Sequence, residues 1–141
     1  MATTSEDDMQ QIIAFLNANR TVFLATSDKG AARVRPFQFQ FAQDCRLWFC
    51  TARTKEVFAQ IQADPRLEFS CTSPDMVTLR VMGRANLDDD MAVKRRIMAE
   101  NPPIRALYGS AENPAFTVFS VDHGSAYTFD FAGTPPRTVH F

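Results

Sequence analysis

At Thr21 the hydrophobic period of the chain changes from that of a helix to that of a strand, and from there the turn signals are closely spaced. Residues 21–27 (TVFLATS) are β-branched and apolar, Asp28-Lys29-Gly30 is a turn, and residues 32–41 (ARVRPFQFQF) return as a long alternating strand, so the two predict a hairpin. Residues 46–50 (RLWFC) follow a Gln43-Asp44 turn and close another. Leu67, Phe69 and Cys71 alternate with Glu68 and Ser70, and beyond a Ser73-Pro74-Asp75 turn Val77, Leu79 and Val81 alternate with Thr78 and Arg80. Gly83 marks a bulge before residues 85–87, and residues 116–121 and 126–131 read as a last pair around an Asp122-His123-Gly124 turn. A parallel pair needs a crossover of a dozen or more residues, which most of these connections do not supply. The expected fold is therefore α+β and mainly β, with six or seven antiparallel strands in a barrel-like sheet and three helices at its edges.

The first helix is signed by Ser5 and Asp8 at capping-box spacing and by Met9, Ile12, Ile13 and Leu16, and should end near Asn19. The second spans residues 55–63, with Val57, Phe58 and Ile61 inward and Asp64-Pro65 as its stop. The third, residues 91–100, opens after Asp88-Asp89-Asp90, puts Met91, Ile97 and Met98 in the core and ends at Asn101-Pro102-Pro103. The tail, residues 132–141, has no firm period. With 141 residues, 45% hydrophobic and 22% charged, the expectation is a single domain over residues 1–141 with a core that needs no staples. Apolar runs fall short of the roughly 18 residues of a membrane helix. The acidic start (Glu6, Asp7, Asp8) lacks the order of a signal peptide, so a cytoplasmic protein without a membrane partner is expected. A net charge of −1 gives no global field for nucleic acid. Cys45, Cys50 and Cys71 lack CxxC spacing, lie in strand-like runs and read as buried reduced thiols.

Chemistry is concentrated in RVRPF (residues 33–37) and CTARTK (residues 50–55). In the first, Arg33, Arg35, Phe37, Phe39 and Phe41 share one strand face, and Pro36, which cannot donate to a ladder, demands an edge or a break. In the second, a strand end, a polar loop and a helix start follow one another. A helix start presents unpaired N–H groups, so Thr51, Thr54 and Lys55 with a neighbouring-strand arginine suit a terminal phosphate. The competing reading has Thr54 as a simple N-cap and Lys55 solvated. Asp88-Asp89-Asp90 lacks the glycine and spacing of a calcium loop, no metal site is expected, and His123 and His140 read as surface. GxSxG, HExxH, Walker and GxGxxG motifs do not occur.

The ordered set of a helix, a strand, RVRPF, a hairpin to LWFCT, TKEVFAQI, ADPRLEF and TLRVMGRA resembles the pyridoxamine 5′-phosphate oxidase-like family of FMN-binding split-barrel flavoproteins, over about residues 15–131. The resemblance implies a split barrel and a homodimer with FMN between the protomers. It also implies site residues. Arg35 matches the strand arginine that reaches the FMN phosphate; Pro36, Phe37 and Gln38 match the strand along the isoalloxazine; Cys50 and Thr51 match a strand end at which the family uses an aromatic or small residue and then threonine. Thr54 and Lys55 match its phosphate clamp, and Arg80 lies on a strand that the partner protomer contributes. A flavin brings its own redox centre, which accounts for the lack of conventional catalytic motifs; the catalytic residues themselves are unknown.

Pyridoxamine phosphate oxidases are longer and end in an Arg-x-His segment, whereas this chain ends PPRTVHF with Arg137 and His140 at another spacing, so synthesis of pyridoxal phosphate is not expected. Haem and a deazaflavin are other ligands of the family, and neither histidine is placed as an axial ligand. The leading expectation is an FMN-dependent oxidoreductase acting on an unidentified small molecule, with Tyr108, Phe116 and the tail toward substrate. A non-catalytic FMN carrier or sensor would use the same clamp. A single-stranded nucleic-acid-binding barrel, with Arg33, Arg35, Phe37, Phe39 and Trp48 as its platform, is the reading from a different class.

Overall fold

Two reversals of the chain are made by pairs of residues in the left-handed region. The computed structural model, which describes residues 6–141, places Lys29 (φ 51°) and Gly30 (φ 86°) between β1 (Thr21–Asp28) and β2 (Ala31–Gln38). Asp44 (φ 56°) and Cys45 (φ 59°) likewise join β3 (Phe41–Gln43) to β4 (Arg46–Ala52). Two positive φ values give a turn whose twist matches that of the flanking strands, and this holds Asp28 opposite Ala31 and Gln43 opposite Arg46. The second turn lies one residue beyond the expected Gln43-Asp44, which leaves Cys45 exposed rather than buried in a strand.

The other elements are α1 (Glu6–Ala18), α2 (Glu56–Ala63), β5 (Arg66–Thr72), β6 (Thr78–Asn86), α3 (Met91–Glu100), α4 (Pro102–Tyr108), β7 (Phe116–Phe129) and β8 (Arg137–His140). The expected cap of α1, Ser5, lies outside the described residues. The sheet runs β2-β1-β5-β6-β7-β4-β3, with β8 on β7, and every pair is antiparallel. The described residues thus form eight strands and four helices where six or seven and three were expected.

The single strand expected over residues 32–41 is broken at Phe39 and Gln40, and this break closes the barrel. The Phe39 N–H donates to the Arg20 carbonyl (2.8 Å), whereas the Gln40 N–H donates to the Trp48 carbonyl on β4 (3.0 Å). The chain therefore passes from one end of the sheet order to the other within two residues. The Arg20 guanidinium pins the corner by donating to the carbonyls of Phe39 (3.1 Å) and Gln40 (2.7 Å). Inside the curl, Phe39, Phe49, Phe69 and Phe119 are buried among Val22, Leu24, Leu47, Leu79 and Val81. Phe49 stacks on Phe119 at 5.5 Å and meets Phe69 edge-on at 5.3 Å; such pairs add about 0.5–1.5 kcal/mol beyond their burial.

Two regions expected to be loops are strand. The expected turn at Asp122-His123-Gly124 is a bend inside the continuous β7, with His123 at φ 48°. The partner strand shifts register between Met82 and Arg84, so both strands bend together and stay paired. Gly83 and Gly124 allow this: a Cβ on Gly124 would overlap the Met82 carbonyl oxygen, and one on Gly83 would lie 2.6 Å from the Val121 side chain. The tail expected to be irregular pairs with β7 from Ser125 to Thr128. Gly124 and Phe141 then exchange backbone bonds of 3.0 and 2.9 Å.

Helices α3 and α4 cover the outer face of β3, β4 and β7 through a second core that includes Phe41, Trp48, Val93, Ile97, Phe116 and Val118. Asp90 caps α3 by accepting from the N–H groups of Ala92 (2.9 Å) and Val93 (3.2 Å). Asn101 ends that helix and caps the next, accepting from the Ile104 N–H (3.3 Å), with Pro102 in the first turn, where proline loses no bond. The Pro-Pro pair read as a stop is thus also a start. No helix among the described residues is long and apolar enough to cross a membrane.

Candidate functional site

The barrel has a seam. β2 pairs only with β1, as Pro36 demands, and β3 covers β4 only over Arg46–Trp48. One edge of β2 and one edge of residues 49–52 are therefore without ladder partners. Side chains bridge the gap, with Phe37 edge-on to Phe49 (6.2 Å) and Phe119 (5.7 Å).

At the end of β4 the chain turns through Arg53 and Thr54 into α2. That helix starts at Glu56, so its N-cap is Lys55, in extended backbone (φ −84°, ψ 148°) and with no side-chain capping bond. The competing reading, with Thr54 as a simple N-cap, is therefore not what the structure shows. Thr54 and Lys55 are exposed, and among the described residues neither side chain has a hydrogen-bond or ion-pair partner.

Arg35 points inward from β2 and is held on three sides. It donates to the Leu24 carbonyl (3.2 Å), to Thr26 Oγ1 (2.8 Å) and to Gln60 Oε1 on α2 (2.7 Å), while the Thr26 hydroxyl donates to the same Gln60 oxygen (2.6 Å). A guanidinium has five N–H donors, so Arg35 keeps donors free for a ligand. Burial and the nearby Arg33 lower its pKa, and Glu56 at the start of α2 opposes them. Thr26 and Gln60 were missed by sequence reasoning. The available signal was Gln60 itself, a glutamine between Val57 and Ile61 on the apolar stripe of α2, where it is buried.

Cys50 faces the second core beside Tyr108. Burial pushes its thiol up to about 12, although the neighbouring Lys55 ammonium pulls the other way. The structure thus brings Arg35 to α2 at Gln60 and near Glu56, and Cys50 near Lys55. Thr51, expected to add a hydroxyl there, is buried, and its Oγ1 has no hydrogen-bond partner. Pro36 and Gln38 are exposed, and the Gln38 side chain accepts from Asn101 Nδ2 (2.9 Å).

Arg80 is not brought to this group. It is on the opposite face of the sheet, two strands beyond β1, and its Nε and Nη2 both donate to Glu68 Oε1 (2.8 and 2.6 Å). Phe116, expected toward substrate, is fully buried beneath the half-buried Tyr108 ring (4.9 Å). Phe39 and Trp48 are buried too, so the rings of the nucleic-acid platform are not available for stacking. A cavity of about 520 Å³ lies between the first hairpin and the start of β5, and one of about 480 Å³ lies beside the Phe39-Gln40 corner; Arg35, Thr54 and Lys55 line neither.

The sequence model of the pyridoxamine 5′-phosphate oxidase family matches residues 9–129. This chain belongs to that family. None of the curated proteins matches it. Among solved structures, a NimC/NimA family protein from Clostridium acetobutylicum superposes with a TM-score of 0.87 at 26% identity, over 94% of this chain and 92% of that one. A pyridoxamine 5′-phosphate oxidase-related, FMN-binding protein from Nostoc punctiforme gives 0.73 at 20% identity, over 92% and 87%. A haem-binding protein from Mycobacterium smegmatis gives 0.72 at 14% identity, over 99% of this chain and 60% of that one. The last two show the shared pyridoxamine 5′-phosphate oxidase-like split barrel.

Proposed function

We propose that this family member is an FMN-dependent oxidoreductase that works as a homodimer. One observation carries the reading. Among the described residues the Lys55 and Thr54 side chains have no hydrogen-bond or ion-pair partner at a helix start without a side-chain cap, and Arg35, braced by Thr26 and by Gln60 of the same helix, keeps donors free. Such a donor set suits a dianionic phosphate monoester: it offers a point charge, a hydroxyl, a guanidinium and unpaired amides. The orphan Thr51 hydroxyl and the open strand edges of the seam leave polar groups for the rest of a nucleotide-like ligand. When bound, FMN would supply the hydride-accepting chemistry. Arg35, Thr54 and Lys55 would hold its phosphate, and the backbone of Pro36, Phe37 and Gln38 would run beside the ring.

Support for the dimer comes from the outer face of the sheet. Phe23 (55% exposed), Val34 (67%) and Met82 (52%) lie on that one face, because Ala25 and Pro36 place the first two side by side and Glu68 lies opposite Met82. Apolar groups shared across one face mark an association surface. A two-fold dimer would pair this face with its copy and bring Arg80 of each protomer toward the other.

The test is to add excess FMN, remove the unbound fraction by gel filtration and read the visible spectrum of a dimer-sized peak. A stoichiometric flavin band is expected. In the double variant Thr54→Ala, Lys55→Ala the affinity should fall more than tenfold, since charge-assisted bonds are worth about 1.5–3 kcal/mol each. Unchanged affinity would refute the clamp. A non-catalytic FMN carrier would use the same clamp. Steady-state turnover with a panel of electron donors separates the two.

A further inference from the structure

Arg53, next to Thr54 and Lys55, is held by a charged network that the proposed clamp does not include. Its backbone N–H donates to the Ala115 carbonyl (2.8 Å), and its guanidinium donates to the carbonyls of Pro114 (2.6 Å) and Phe116 (3.1 Å) and to Asp89 Oδ2 (2.6 Å). The other oxygen, Asp89 Oδ1, accepts from Lys94 Nζ (2.7 Å) and from the Thr117 hydroxyl (3.2 Å). Lys94 is on α3, its side chain is 4% exposed, and its ammonium lies 6.0 Å from the Phe116 ring centre. A buried ammonium must be paired, so Lys94 fixes where the Asp89 carboxylate stands. That carboxylate, reached from one side by α3 and from the other by Arg53, fixes the loop in turn.

We infer that Asp89 is a positioning residue for the anion-holding loop, setting the place of Thr54 and Lys55 through Arg53 and tying that loop to α3 through Lys94. The inference rests on the FMN reading for its ligand. It predicts loop order whether or not flavin binds. Asp90 supplies the contrast: it caps the same helix through Ala92 and Val93 and does not touch Arg53.

The experiment compares wild type, Asp89→Asn, Asp90→Ala and the double variant Asp89→Asn, Lys94→Met, in which the buried ammonium left without its partner is also removed. Each is measured for thermal midpoint, FMN dissociation constant and amide hydrogen exchange at Arg53, Lys55 and Phe58, whose N–H groups donate to the carbonyls of Ala115, Ala52 and Lys55. The two variants lacking Asp89 should exchange faster at those amides and bind FMN about tenfold more weakly, the effect of losing one charge-assisted hydrogen bond. The double variant should regain thermal stability without regaining affinity. Asp90→Ala should melt earlier while its loop exchange and affinity stay as in wild type. The inference is overturned by a folded double variant with wild-type exchange at Arg53, Lys55 and Phe58, or with faster exchange and wild-type affinity. Absence of FMN binding by wild type would overturn the cofactor reading instead, and the exchange comparison would then decide the loop by itself.

Discussion

Lys55 was legible as a candidate because its neighbours in sequence, a strand end and a helix start, already imply where amides go unpaired. Its local detail was not: whether Thr54 or Lys55 takes the cap position depends on how β4 delivers the chain to α2, which no spacing reveals. Gln60 and Thr26 were hidden for a related reason. A polar residue on an apolar stripe looks like an error until the guanidinium that it satisfies arrives from a strand 25 residues earlier. The cysteines separate on exposure and acidity. Cys45 is exposed in its turn, whereas burial raises Cys50 to about 12 and Cys71 to about 11. At pH 8 the native protein should therefore release one equivalent of thiol quickly to an aromatic disulfide reagent, with the other two reacting only on unfolding. Fast reaction of two or more would contradict the burial of β4 or β5.

For the elements, type was mostly read correctly and continuity was not. Asp122-His123-Gly124 carries the composition of a hairpin turn. It is nevertheless the bend of one 14-residue strand, because β6 shifts register at Gly83 opposite it and β8 closes the other side. The reason is steric. With no Cβ on Gly124, the Met82 carbonyl can approach its backbone, and the ring of Phe141 sits beside it. Gly124→Ala should cost about 1–3 kcal/mol in urea unfolding, the usual penalty for overpacking, and should free the C-terminal strand first. A loss below about 0.5 kcal/mol would mean that the close approach is not a constraint. The Pro-Pro pair shows the same limit from the other side, since a proline that stops one helix is also well placed in the first turn of the next.

In the whole molecule the sheet exposes an apolar face around Phe23, Val34 and Met82, and the proposed dimer would cover it. Replacing Val34 and Met82 by glutamate should yield a folded monomer by light scattering with much weaker FMN retention, because Arg80 of the partner would no longer reach the cofactor groove. A double variant that stays dimeric would place the interface elsewhere. The sequence by itself determined that the chain is mainly β and that its strands are antiparallel, and it singled out Arg35, Thr54 and Lys55 as candidates. These follow from local rules of period, turn length and helix ends. Only the tertiary structure decided that residues 32–41 break at Phe39 to close a barrel, that Arg80 stands apart from Arg35, and that Asp89 reaches Arg53 from 36 residues away. Each of these depends on which strand edges and buried charges meet in space, and such pairings are set by packing between distant segments rather than by the period of either one.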